Sequence, residues 1–395
     1  MSWVSKFLEE TSASEAPTNY FYWSALAAIS AVARRNVYLS RFLYTLYPNI
    51  YVIITGETGI RKGYPVSLAR QLVEKVHCTK VMAGRGSIQG IVRELSRVQS
   101  VPGGEPIKDA VGFFCTGELS ASLVKDPDTL VILIDLFDTH FNKDWKNTLK
   151  SVPIEKLTNI YLTILAASNE TNLTTIVPRD TTGSGFIART FFVHATEKRR
   201  VDSLMFRPER IPNVDELAKH LYAISGLRGE FSMEHEVRIY FDEWYKNFER
   251  SGHKDATGTL ERIHDGILKT AMLISLSDRL DLVITKEHVQ EAEAACMDCF
   301  WGMKRVIIGS EGKAALADQT ELFLKELIRR PEHAVTRQKL LSKYWGCFDS
   351  IDLDRMVQTL LEAKAIEVHR SGRDTIYEMT TSALESYTKF VKEEL

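Results

Sequence analysis

The sequence has no stretch of eighteen apolar residues, so no segment is composed to cross a membrane as a helix. It lacks an excess of either charge: 50 Lys and Arg against 52 Asp and Glu leave a net charge of −2. That excludes a global electrostatic footprint for nucleic acid and confines any such contact to a local patch. Cysteine is sparse. Five, an odd number, make no disulfide framework and fit a reducing compartment. Cys296-x-x-Cys299 has neither a second pair nor histidines nearby, so the two read as small core residues rather than zinc ligands or a redox pair. The first ten residues, MSWVSKFLEE, are amphipathic and acidic, unlike a secretory signal, and the expected location is cytoplasmic. Repeats and low-complexity tracts are also lacking. What remains is an ordinary globular composition, 44% apolar and 26% charged, over 395 residues, enough for two to three domains.

The most informative stretch present is Ile50-Tyr51-Val52-Ile53-Ile54-Thr55-Gly56-Glu57-Thr58-Gly59-Ile60-Arg61-Lys62-Gly63. A β-branched run enters a glycine-punctuated turn, then a lysine, then a helical pattern through Ser67, Leu68, Ala69, Leu72 and Val73. This is the strand–loop–helix layout of a phosphate-binding P-loop and points to a nucleoside triphosphate. Backbone N–H groups of Gly56, Glu57, Thr58, Gly59, Ile60, Arg61, Lys62 and Gly63 would cradle the anion, with the Lys62 ammonium beside the β- and γ-phosphates. Two positions depart from G-x-x-x-x-G-K-[ST]: Arg61 replaces the second glycine and Gly63 the hydroxyl residue that ligates Mg²⁺. Water and phosphate oxygens can hold more of the metal, as Mg²⁺ allows.

Residues 1–46 read as helices ending in a short strand near Val37–Leu39. From 47 to 212 strands (Ile50–Thr55, Lys80–Ala83, Val111–Cys115, Tyr161–Ala167, Thr190–His194) alternate with helical patterns at 65–77, 87–99 and 118–138. Such alternation predicts a parallel sheet covered by helices, with ligands at the carboxyl ends of the strands. Residues 213–310 carry four long helical patterns. After a linker around 309–316, residues 317–395 read as three helices, a strand–turn–strand and a final helix, the order of a winged helix.

A P-loop ATPase needs an acidic residue at the end of a neighbouring strand. Glu118, after the run Val111–Thr116, is preferred to Asp135, whose Leu130, Leu133, Ile134 and Phe137 neighbours have helical spacing. Asn169, after the strand Ile160–Ala167, would lie between the P-loop and the acidic strand and orient the attacking water; its alternative is a helix N-cap. Arg189 follows the loop Gly183-Ser184-Gly185 and is either an arginine finger, in cis or across a subunit boundary, or an ordinary ion pair. Arg262 and Lys269, on a helix that can close as a lid, are candidate phosphate sensors.

Together these elements resemble the AAA+-type ATPases of phage and mobile-element replication modules, related in plan to superfamily 3 and MCM-like helicases. The carrying residues are Gly56–Gly63, Gly117-Glu118-Leu119, Ala167-Ser168-Asn169-Glu170, Ser184–Arg189 and the stretch from Leu260 to Leu273, over roughly residues 15–310. The resemblance implies an α/β P-loop NTPase core (AAA+/RecA-like parallel sheet) with N-terminal helices, a helical lid and a C-terminal winged helix. It implies ATP and Mg²⁺ as cofactors, with Lys62, Glu118, Asn169 and Arg189 catalytic, Glu118 on the metal and Arg262 on the nucleotide. The expected partners are DNA in the central channel of a homo-oligomer, a hexamer, and other replication proteins; the expected activity is that of a DNA helicase. The alternative is a nucleotide-gated initiator or helicase loader. Such helicases contact DNA through a hairpin between the acidic element and the asparagine strand. Here that interval holds Lys143, Lys146 and Lys150 with Phe141 and Trp145 interleaved, either a phosphate-tracking, base-stacking element or an amphipathic helix with its aromatics in the core. In the tail, Arg337, Lys339, Lys343, Arg370 and Arg373 are placed to meet a duplex backbone; the alternative is a winged helix that binds only protein.

Overall fold

The computed structural model describes residues 1–84, 87–101, 106–119, 128–138, 144–147, 155–170, 173, 185–203, 211–250, 257–303, 306, 313–344, 350–371 and 374–384. The chain divides into two compact units, Met1–Ile307 and Ile308–Leu395.

At the centre of the first unit is a sheet of five parallel strands: β1 (Tyr51–Thr55), β2 (Lys80–Ala83), β3 (Val111–Thr116), β4 (Tyr161–Ser168) and β5 (Thr190–His194). Their order across the sheet is β2-β3-β4-β1-β5. In register, Thr55 pairs with Ser168 on one side and with His194 on the other. Every residue of β1, β3 and β4 is buried. This is why these strands read as continuous apolar runs: a parallel sheet is covered on both faces and has no solvated side to alternate with.

Helices α1 (Trp3–Glu10) and α2 (Thr18–Ala33) precede the sheet, and α3 (Gly63–Val76) and α4 (Ile88–Ser96) cross between its first strands. Helix α5 (Asp128–Phe137) follows β3, and α6 (Val214–Gly226), α7 (His235–Arg250), α8 (Thr259–Asp278) and α9 (Lys286–Met303) follow β5. Asp135 lies within α5, as its helical spacing requires. The expected regions 1–46, 47–212 and 213–310 share one hydrophobic core, running from Trp3 to Val306.

Helix α2 explains that sharing. Thirteen of its sixteen residues are buried, among them Ala25, Ala27, Ala28, Ala31 and Ala33. A helix apolar all round has no surface position available to it, and its small side chains let neighbours approach closely. The Trp23 ring stacks on Phe191 of β5 at 4.5 Å. The Ser30 hydroxyl lies 2.7 Å from Thr163 Oγ1 and 3.2 Å from the Tyr161 hydroxyl, both on β4. The strand expected near Val37 extends to Arg41 and turns back through Tyr44–Leu46; it also pairs in parallel with Gly229–Glu230.

The second unit has its own core, built from Phe323, Leu327, Leu340, Leu353, Met356, Leu360 and Tyr377 among others. Its helices span Lys313–Ile328, Arg337–Tyr344 and Ser350–Glu362, so the first begins within the expected linker. Strands Ile366–Ser371 and Asp374–Met379 are antiparallel, as expected, and Ala334–Thr336 adds a third strand against the latter. Three residues are too few to carry a periodic signal; only long-range pairing makes them a strand.

Trp23→Ala should cost about 3–5 kcal/mol of stability through the cavity it leaves. Urea unfolding of wild type and variant measures this, and a loss below about 1 kcal/mol would mean that α2 is not a core element.

Candidate functional site

The carboxyl ends of β1, β3, β4 and β5 form one edge, and most of the residues singled out above stand on it. Loop Gly56–Lys62 leaves β1 and ends at the amino terminus of α3, where the Tyr64 N–H donates to the Arg61 carbonyl at 3.4 Å and Pro65 carries no N–H. Gly56 is required by close approach: a Cβ there would fall 2.5 Å from the Tyr20 hydroxyl and 2.7 Å from the Ala195 carbonyl. That hydroxyl donates to the Thr55 carbonyl at 2.6 Å, fixing the point where strand becomes loop. Ile60 is buried, whereas Glu57, Thr58 and Gly59 face solvent.

Arg61 has φ +67°, a left-handed backbone that costs a side-chain-bearing residue about 1–2 kcal/mol. The usual second glycine of the motif meets this demand without strain. Here Arg61 Nε donates to Glu15 Oε2 at 2.8 Å. The hydrogen bond from Arg61 is the main cause holding the Glu15 carboxyl down at about 2; the Asp202 N–H and Lys198 add to it, against the opposing effect of burial.

Lys62 is turned back onto its own loop. Its Nζ donates to the carbonyls of Gly56 at 2.6 Å and Glu57 at 2.7 Å. Desolvation lowers its pKa, an effect that the charges of Glu170 and Glu57 oppose. The loop therefore holds a cation on its own carbonyls, and an entering phosphate would exchange those contacts for stronger charge-assisted ones.

Glu118 follows β3 and is exposed. Its turn is pinned to the end of β4 by Leu119 N–H donating to the Ala167 carbonyl at 2.6 Å. A Cβ on Gly117 would lie 3.9 Å from the Gly63 Cα, so the acidic turn and the start of α3 nearly touch. A Cβ on Gly63 itself would meet nothing within 4 Å. Asn169 follows β4, the strand between β3 and β1, and so lies between the acidic turn and the loop as expected. Its neighbour Glu170 sits 3.7 Å from His194 Nδ1, which in turn is 3.4 Å from Thr55 Oγ1. Glu170 and His194 thus stand at this edge as well; the sequence offers Glu170 only within the stretch Ala167–Glu170 and His194 only as the last residue of its strand.

Two candidates stand elsewhere. Thr190, next to Arg189, pairs with Tyr51 at the foot of β1, so Arg189 is a strand length, about 13 Å, from the loop. Its Nε donates to Asp138 Oδ1 at 3.0 Å, its Nη2 to Asp138 Oδ2 and its Nη1 to the Gly185 carbonyl at 2.8 Å. The side chain is 8% exposed. This geometry removes the in-cis reading of Arg189. Arg262 and Lys269 line the same cavity of about 250 Å³ as Arg189, at the amino edge of the sheet, with Asp265, Phe191 and Phe300. Neither approaches its own chain's loop. Lys269 is buried and donates to the Asn49 carbonyl at 3.1 Å and to Asn49 Oδ1 at 2.7 Å. Cys296 and Cys299 are buried core residues.

Of the three lysines proposed for DNA, Lys143 and Lys150 lie outside the described residues, as does Phe141. Lys146 is exposed on an antiparallel ribbon, Asp144–Asn147 against Glu155–Thr158. The ribbon replaces the alternative amphipathic helix over 144–147, and strand alternation decides its side chains. Lys146 faces out, and Trp145 packs against the hydrophobic core, not free to stack on a base. In the second unit, Arg337 is tied to Asp354 and to the Tyr377 hydroxyl, and Lys343 to Glu326. Arg373 lies outside the described residues. Among the described residues, no group of three or more His, Cys, Asp or Glu is gathered to hold a metal.

The sequence matches no known protein family and no curated protein. No described helix is long and apolar enough to cross a membrane.

Burial lowers the Lys269 pKa from 10.5 to about 7. Between those values the unfolded chain binds the extra proton, so this group makes stability rise with pH across the window. The stability of Lys269→Met relative to wild type should therefore fall by about 1.4 kcal/mol per pH unit from the lower end of the window to the upper. Urea unfolding across the window measures it; a difference independent of pH would contradict the assignment.

Proposed function

We propose that the chain is an ATP-driven, ring-forming DNA translocase or helicase of the kind used in phage-type replication. The observation that carries this reading is the strand order. With β4 between β3 and β1, the loop of Lys62, the Glu118 turn and Asn169 stand side by side at one edge, each after a different strand. A P-loop ATPase needs this set: backbone donors and a lysine for the phosphates, a carboxylate for the metal and the attacking water, and a polar group between them.

In this reading Lys62 leaves the Gly56 and Glu57 carbonyls to meet the β- and γ-phosphates, while the amino terminus of α3 supplies N–H donors. Glu118 accepts the proton of the attacking water, which Asn169 orients. Mg²⁺ would neutralise phosphate charge, and the residues present suit a loosely held ion. Glu118 is the carboxylate available to it, Gly63 supplies no oxygen, and water and phosphate complete the shell. Arg189 and Arg262 stand at the opposite edge, so any part they play in hydrolysis would be on a neighbouring subunit's nucleotide, as the ring reading requires. Lys146 on its exposed ribbon is the described candidate for the DNA backbone.

The second reading, a nucleotide-gated initiator or loader without unwinding, is favoured by two observations. Gly63 removes a metal ligand, and Arg189 is already paired with Asp138. ATP-dependent oligomerisation without DNA-stimulated turnover would select it.

Lys62→Ala and Glu118→Gln should each lower ATP turnover by roughly 10²–10³-fold and abolish fork unwinding. Unwinding that survives both substitutions would overturn the helicase reading. Because a side chain at Gly63 meets open space, Gly63→Ser should fold normally. It should lower the Mg²⁺ concentration for half-maximal turnover roughly tenfold, the scale of one polar contact to a charged group. An unchanged Mg²⁺ dependence would mean that the metal does not sit against α3.

A further inference from the structure

Glu15 lies between α1 and α2, forty-six residues before Arg61 and outside any phosphate-binding motif. It is 4% exposed, whereas the Arg61 side chain that reaches it is 61% exposed. The carboxylate is fixed from the other side by the segment after β5. Lys198 Nζ lies 3.2 Å from both its oxygens, and the Asp202 N–H donates to Oε1 at 3.2 Å. The backbone is held as well, with the Arg199 N–H donating to the Glu15 carbonyl at 3.0 Å. One end of the Glu15–Arg61 pair is therefore anchored in the body of the protein. The other is the single residue of the loop that carries a side chain on left-handed backbone.

We propose that Glu15 is a positioning residue for the phosphate-binding loop. Through Arg61 it holds in place a backbone corner that a glycine would adopt by its own freedom. The proposal rests on the reading of Gly56–Gly63 as a triphosphate site and adds to it a part of that site drawn from the N-terminal helices. It also accounts for an arginine at this position: the side chain that makes the corner unfavourable also supplies the tie that secures it.

The test uses the full chain and two readouts, amide hydrogen exchange over residues 56–63 without nucleotide, and equilibrium binding of a fluorescent ATP analogue. Arg61→Ala and Arg61→Gly both remove the ion pair, but only alanine keeps the strained corner. Arg61→Ala should exchange faster over the loop and bind the analogue roughly tenfold more weakly than Arg61→Gly. Glu15→Gln should behave like Arg61→Ala in the wild-type background and change little in the Arg61→Gly background, a coupling that a double-mutant cycle reads directly. Exchange over β4 serves as the control for folding.

Equal behaviour of the alanine and glycine variants would overturn the proposal. So would a Glu15→Gln effect of the same size in both backgrounds, because Glu15 would then act through Lys198 and Asp202 alone. If the coupled exchange appears but wild type binds no triphosphate, the nucleotide reading fails while the hold of Glu15 on the loop stands.

Discussion

One helix without a polar face sets the conditions for everything around it. Because α2 must be covered on all sides, strands β4 and β5 and helices of both the core and the C-terminal half of the first unit close over it. The polar atoms it does carry are then spent on alignment. Ser30 meets Thr163 and Tyr161 of β4, and Tyr20 meets the carbonyl at the end of β1. Helix α2 thus bonds to the sheet at both ends of its strands, and the loop after β1 starts from a fixed point.

The two edges of the sheet carry opposite chemistry. At the carboxyl edge the backbone turns into solvent, and the charged groups there, Glu57, Glu118 and Glu170, are exposed or partly so around a lysine held on carbonyls. At the amino edge Arg189 and Lys269 are buried and held by polar partners, while Arg262 stays exposed. Arg189 is clasped by Asp138, and Lys269 is held by Asn49 with Phe137 beneath it at 3.9 Å. An arginine so clasped has its charge already compensated, and Asp138 would be the competitor of any other anion it met.

Much of this arrangement is legible in the sequence where the signal is local. The five strands of the central sheet, the loop after the first, and the placement of Glu118 after a strand and Asp135 within a helix follow from apolar runs, glycines and helical spacing. What escapes is what depends on residues far apart in the chain. Glu15 has no motif around it, and its role exists only because the fold brings it to Arg61. Trp145 and Lys146 look equally available until pairing with Leu157 and Lys156 assigns one to each face of a ribbon. Arg337 and Lys343 look like a basic surface until Asp354 and Glu326 meet them. A sequence reveals where charge is, and tertiary partners decide whether it is free.

The lack of a polar face on α2 has a consequence for how the protein is made. This helix is finished by residue 33, but α8, which helps to cover it, is complete only at residue 278. At about 5–20 residues per second, roughly 12–50 s of synthesis separates the two. For that time a sixteen-residue, largely apolar segment lacks part of its native cover, although α3, β4 and β5 are made earlier, and contacts across so long an interval are slow to form. The element on which the finished structure rests is thus one whose last face stays open to misassembly and to capture by chaperones until α8 is made.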